Sequence, residues 1–278
     1  GGLGFGRREA MTPPARAPDV RRLRVSGSLD TLEARTQQAN GEQWSYDGFL
    51  PRLVQDEVAR RSQKQLALRW RRGNLNTAKT LETFDFGFNP GINRQQIFDL
   101  ATGEFIRQHR NVLFCGQTGV GKSHLAQAIA HEAARQGYDV LFVAAHQLLA
   151  HIHGGRADGS YDRRLASYLR PDLLVIDDFG LKPLPPFGSV DFYDIVNERY
   201  ERASILLTSN RAPEEWQELF DNPLLANAAL DRLAHRAATL TIPGRSYRLA
   251  AAPARQEVAA PAPAAAGAPP PPRPAPPP

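Results

Sequence analysis

Cysteine is nearly absent: a single thiol, Cys115, serves 278 residues. That excludes a disulfide framework and any zinc site built on paired cysteines. No secretory leader is expected, and a reducing cytoplasm is the anticipated setting. No apolar run reaches the roughly 18 residues that a membrane span requires. The longest, residues 140–145, is strand-sized, so no membrane partner is expected. Lysine is scarce too: Lys64, Lys79, Lys122 and Lys182 are the four lysines among 34 basic residues, which leaves 30 arginines. GC-rich coding produces such a bias without functional pressure. Methionine occurs once, at Met11 after GGLGFGRREA, and Met11 is the expected start. With 42% hydrophobic and 23% charged residues, the chain is globular in composition, with one large domain or a large and a small one.

The net charge of +5 is unevenly placed. Residues 20–80 hold 12 Lys/Arg against 6 Asp/Glu, a net +6, whereas residues 81–250 hold 17 against 20, a net −3. A basic front on a slightly acidic body concentrates any phosphate-backbone contacts in the front. A solvated helix face accounts for the same charges equally well. Residues 251–278 contain 11 Pro and 11 Ala, a composition that cannot build a core and predicts a disordered or polyproline tail. The expected division is an N-terminal disordered extension over 1–19, a helical basic domain over 20–79, a larger domain over 80–250 and the tail over 251–278.

Periodicity predicts a short helix near Leu29 to Ala39, stopped by Gly41, then a long amphipathic helix from Ser45. The long helix sets Leu50, Leu53, Val54, Val58, Leu66 and Trp70 on one face and carries Arg60, Arg61, Lys64, Arg69, Arg71 and Arg72. An aromatic connector, LETFDFGF, is expected to cover the sheet edge with Phe84 to Phe88, and a helix is expected from about Ile92 to Ile106. Beyond Arg110, five β-rich runs (VLFC, VLFVA, LLVID, SILLTSN, ATLTIP) alternate with helices. That pattern predicts an α/β fold with a five-stranded parallel sheet.

Residues 116–123, GQTGVGKS, form a complete Walker A loop between the strand VLFC and the helix SHLAQAIAHEAARQ. Gly116, Gln117, Thr118, Gly119, Val120 and Gly121 would close backbone N–H groups around phosphates, with His124 continuing into the first helical turn. Lys122 would supply charge to the β- and γ-phosphates, and the Ser123 hydroxyl would ligate Mg2+. ATP and Mg2+ are therefore the expected cofactors.

The run LLVIDD reads as Walker B, with Asp177 in the magnesium shell and Asp178 placed to polarise the attacking water. Side chains alternate faces along a strand, so a merely structural strand end needs no second acid. SILLTSN ends at Asn210, which reaches the γ-phosphate from the side if its strand lies between the two Walker strands. By itself an Asn there is turn chemistry. Arg232, on a later short helix, is a candidate arginine finger for a neighbouring subunit, although spacing alone favours a surface arginine paired to an acid. His151 and His153 have no accompanying ligand cluster and read as a solvated helix end, and Cys115 reads as a small buried strand residue.

In this order the motifs resemble the IstB-like helper ATPases of insertion sequences, relatives of the helicase loader DnaC within the AAA+ class. The likeness runs from about Leu29 to Arg248. It rests on LETFDFGF, GQTGVGKS, RQGYDVLF, RADG at 156–159, RPDLLVIDDFG, ERYERASILLTSNRAPEEW, NPLLANAALDRL and Ser246-Tyr247-Arg248. The resemblance implies an ATP-hydrolysing AAA+ core that forms homo-oligomers on DNA and stimulates a partner transposase. It implies that Arg232 is the trans arginine finger, that Arg248 is a sensor-like arginine at the nucleotide, and that Arg156, Arg163 and Arg164 lie in a DNA-contacting insertion. Gln117-Thr118 departs from the family's usual pair, at positions that contribute backbone alone. A DnaC-like loader and a non-hydrolysing ATP-dependent DNA adaptor are the rival readings.

Overall fold

A computed structural model describes residues 26–250. Met11, the extension over residues 1–19 and the Pro/Ala tail over 251–278 lie outside the described residues.

Five strands, β1 (Val112–Cys115), β2 (Val140–Ala144), β3 (Leu173–Phe179), β4 (Ser204–Ser209) and β5 (Ala238–Thr241), form one parallel sheet in the order β2-β3-β4-β1-β5. The aliphatic runs of β1 and β4 are buried at every position, as a sheet covered on both faces requires. Strand alternation divides their side chains. Val112, Phe114, Val175 and Leu206 pack on one face, and Leu113, Cys115, Ile176 and Leu207 on the other. The helices are α1 (Ser26–Gly41), α2 (Tyr46–Arg72), α3 (Arg94–Ala101), α4 (Glu104–Arg107), α5 (Lys122–Gln136), α6 (Ala145–Asp158), α7 (Tyr161–Leu169), α8 (Gly188–Arg199), α9 (Pro223–Ala234) and α10 (Tyr247–Ala250), with a 3-10 helix at Pro213–Leu219. The first face is covered by α3 and α5, and the second by α6, α8, α9 and the 3-10 helix. Among the described residues no helix is long and apolar enough to cross a membrane.

Four expectations need correction. The helix expected from about Ile92 to Ile106 is two helices, α3 and α4, because Gly103 adopts φ +76° between them. A helix unforeseen in the sequence, α7, follows α6 after the left-handed Gly159. The apolar face of α2 is only partly used: Leu66 and Trp70 pack against the core, whereas Leu50, Val54 and Val58 are 62%, 53% and 57% exposed. The aromatic connector does not cover the sheet edge. Phe84 lies against Gly121 and His124, Phe86 stacks on Phe98, and Phe88 meets Tyr247 edge-on at 4.9 Å.

The end of α2 covers the edge instead. The β2 residue Phe142 donates its N–H to Gly73 O at 2.8 Å, and Asn74 Nδ2 donates back to Phe142 O at 3.3 Å. Leu75 and Leu81 are buried in the same core. A division at residue 79/80 therefore falls inside continuous packing.

The buried Arg199 at the end of α8 ties the lower rim together. Its Nη1 donates to the carbonyls of Tyr168, Leu169 and Pro171, and its Nη2 to those of Asp172 and Ser204.

Candidate nucleotide site

The loop between β1 and α5 turns sharply because three glycines adopt conformations that L side chains avoid: Gly116 at φ +149°, Gly119 at +86° and Gly121 at +104°. The space around them is closed as well. A Cβ on Gly116 would meet Ile242 O at 2.2 Å, and one on Gly121 would meet the Phe84 ring at 2.7 Å. Lys122 is buried, and its Nζ donates to Gly116 O and Gln117 O, each at 2.7 Å. Burial pushes the Lys122 ammonium below its ordinary value, while the charges of Asp178 and Asp177 hold it up. Both Walker B acids therefore act on the lysine of the phosphate loop.

The condition on Asn210 is met in the sheet: β4 lies between β1 and β3, with Cys115 opposite Ser209 and Phe179 opposite Ser209. Asn210 thus follows a strand end flanked by the phosphate loop and the acids, and it is exposed. At the acids the regular alternation breaks. The β3–β4 register is irregular between Ile176 and Phe179, and Asp178 takes φ +57°. Asp177 is buried and Asp178 is exposed. Thr208, to which the motifs do not point, donates its Oγ1–H to Asp177 Oδ1 at 2.5 Å and accepts the Asp178 N–H at 3.0 Å. Its sequence signal is a hydroxyl in β4, two residues before Asn210. Partial desolvation at the strand end first, and the neighbouring Asp177 second, push the Asp178 carboxyl above the ordinary carboxylate value. Lys122, Arg248 and His146 pull it back.

Arg248 is thus brought to the site, carried by α10. Tyr247 donates its N–H to Gly119 O at 2.9 Å, and Ser246 sits against Gly119. His146, at the start of α6, is a second neighbour that the sequence did not single out. The His124 side chain turns away from the loop: its Nε2–H donates to Thr80 O at 3.0 Å, and its ring meets Phe84 edge-on.

Arg232 is not brought to the site in its own subunit. It donates Nη1 to Ala228 O at 2.9 Å on its own helix α9 and lies 5.6 Å from the Tyr193 ring centroid. Of the expected DNA arginines, Arg156 pairs with the buried Asp191, and Arg164 pairs with Asp158 and donates to His151 O. Arg60 and Arg61 pair with Glu57. Arg163, Lys64, Arg71 and Arg72 are exposed, and Arg69 is half-buried.

The residues present fit a magnesium nucleotide. Hard oxygen donors, the Ser123 hydroxyl and the Asp177 carboxylate, suit Mg2+. A buried lysine and glycine backbone at the N-terminus of the 15-residue α5 suit phosphate.

Comparison with known proteins agrees with this geometry. The chain is 37% identical over 247 residues to a Mycobacterium tuberculosis protein named as an insertion-sequence ATP-binding protein, covering 88% of this chain and 98% of that one. It is 37% identical over 228 residues to a protein of the same description from insertion sequence IS21 of Pseudomonas aeruginosa, covering 82% and 86%. Among solved structures, DnaI is similar with a TM-score of 0.50 at 21% identity, over 59% of this chain and 90% of that one. AMPPCP-bound DnaA from Aquifex aeolicus matches with a TM-score of 0.50 at 23% identity, over 60% of this chain and about half, 51%, of that one. These two likenesses are of fold alone. The family described as IstB-like ATP binding protein matches residues 18–254, a span that contains the phosphate loop, the two acids and the closing Ser246-Tyr247-Arg248, and the chain belongs to that family.

Proposed function

We propose that the protein is an ATP-hydrolysing helper of an insertion sequence that assembles as a homo-oligomer on DNA in the cytoplasm and stimulates a partner transposase. The observation that carries the reading is the convergence of three strand ends. β1 feeds the phosphate loop, β3 carries near its end two acids whose charges act on Lys122, and β4 between them leads into Asn210. The family supports the ATP and insertion-sequence parts of the reading.

Bound nucleotide and magnesium supply a phosphoanhydride bond and the divalent charge that screens its oxygens. The chain does the rest. The loop's N–H groups and Lys122 hold the phosphates, Ser123 and Asp177 hold the metal, and Asp178 accepts a proton of the attacking water at its carboxylate. Asn210 orients that water from the side. Arg248 adds positive charge within the subunit, while Arg232, held on α9 by Ala228 O, completes the site of the next subunit.

DNA binding falls to exposed Lys64, Arg71 and Arg72 on α2 together with Arg163 on α7. The test measures ATP turnover with and without duplex DNA, and DNA affinity against salt, for the parent and for a Lys64→Ala/Arg71→Ala/Arg72→Ala variant. Turnover should rise with DNA, and the log–log salt slope should flatten by about 0.9 for each phosphate that the variant no longer neutralises. Equal affinity and equal slope would overturn the DNA assignment, and absent turnover would overturn the ATPase assignment.

A further inference from the structure

The two Walker B acids are adjacent in sequence, and on a regular strand adjacent side chains point to opposite faces. Here the backbone leaves that regular pattern at Asp178, through an irregular β3–β4 register and a left-handed φ of +57° that a non-glycine residue adopts only when its surroundings hold it there.

We propose that Thr208 is the positioning residue that holds it, by bridging the two acids with one hydroxyl. Thr208 is 0% exposed, so no solvent substitutes for it. A threonine hydroxyl has one hydrogen and accepts with its lone pairs. That hydrogen goes to the Asp177 carboxylate, and the Asp178 N–H comes back to the same oxygen. The direction of the bridge is fixed, because an amide N–H donates only. The bridge does two things at once. It gives the Asp178 N–H a partner where the irregular register has removed the strand partner, and it anchors one oxygen of Asp177, leaving the other for the metal shell. Thr208 acts through the two acids. A valine of the same shape keeps the packing and deletes the bridge.

The inference rests on the proposed roles of Asp177 and Asp178, so its test reads the protein without nucleotide as well as with it. In full-length protein, Thr208→Val should leave the ATP dissociation constant within about threefold and lower kcat by roughly 10- to 100-fold, the scale on which small misplacements of catalytic groups act. Amide hydrogen exchange at Asp178 in the nucleotide-free protein should accelerate by about tenfold or more, because its acceptor is gone. Thr208→Ser, which restores the hydroxyl, should return both readouts to near the parent. Parent-like kcat and exchange in Thr208→Val, or a serine variant as impaired as the valine one, would overturn the proposal. Loss of folded protein in Thr208→Val and in a smaller Thr208→Ala variant would show a structural residue and overturn it too. If the parent itself turns over no ATP, the functional reading fails, and the exchange comparison alone decides whether Thr208 holds Asp178.

Discussion

Tyr247 donates its backbone N–H to the carbonyl of Gly119 at 2.9 Å, latching the last described helix onto the phosphate loop. The latch places Ser246 so close that a Cβ at Gly119 would come within 2.2 Å of its Oγ. Gly119→Ala therefore meets two penalties, a positive φ of +86° and a collision. ATP affinity measured by titration should fall by at least about tenfold, since strain of this kind costs on the order of 1–3 kcal/mol. Adding Ser246→Gly removes the collision but not the strain, so it should recover part of the loss. Full recovery would show that φ is unimportant there, and no recovery would show that the collision is.

Cys115 lies buried on β1, directly before the loop, and burial pushes its thiol from 9.0 up to about 11. The thiolate is the reactive form, so native protein at pH 8 should resist iodoacetamide while denatured protein reacts. The folded thiol holds its proton more tightly than the unfolded one. Stability should therefore fall as pH rises from 9 to 11, by on the order of 2 kcal/mol. Cys115→Ala should lose that alkaline decline. Rapid alkylation of the native protein would contradict the burial of this strand.

Arg232 is held by Ala228 O and the Tyr193 ring of its own chain, away from the charges that act on Asp178. A finger that serves the neighbouring site makes a specific forecast. Arg232→Ala and Asp178→Asn should each lose hydrolysis, and mixed oligomers should regain a fraction of parental turnover. One interface in such a mixture has both an intact finger and an intact acid. A finger contributes about 10³- to 10⁵-fold in other phosphoryl-transfer systems, so even a minority of intact sites is measurable. No recovery in mixtures shown to co-assemble would place Arg232 outside the reaction.

Most of the sheet was legible in the sequence because VLFC and VLFVA are uninterrupted apolar runs of strand length, and LLVID and SILLTSN are built on the apolar stretches LLVI and ILL, as a parallel sheet buried on both faces demands. The positions of Gly116, Lys122, Asp177 and Asn210 followed from where those runs end. What was not legible depends on partners distant in sequence. Thr208 looks like any strand threonine until the irregular register at Asp178 supplies it with an orphan N–H. No local motif marks Arg199, which is buried among carbonyls contributed by Tyr168, Leu169, Pro171, Asp172 and Ser204. The exposed Leu50, Val54 and Val58 show the reverse error, since helical periodicity finds an apolar face without revealing whether the chain covers it.

The central claim is that Lys122 and Asp178 divide the work of one site, the first holding phosphate and the second activating water. The most direct test measures ATP binding and phosphate release side by side for the parent, Lys122→Ala and Asp178→Asn, in full-length protein with magnesium and duplex DNA. Lys122→Ala should lose ATP binding. Asp178→Asn should bind ATP within about threefold of the parent but release phosphate at least about 10²-fold more slowly, the scale of a lost general base. Phosphate release by Asp178→Asn at the parental rate, or unchanged ATP affinity in Lys122→Ala, would contradict it.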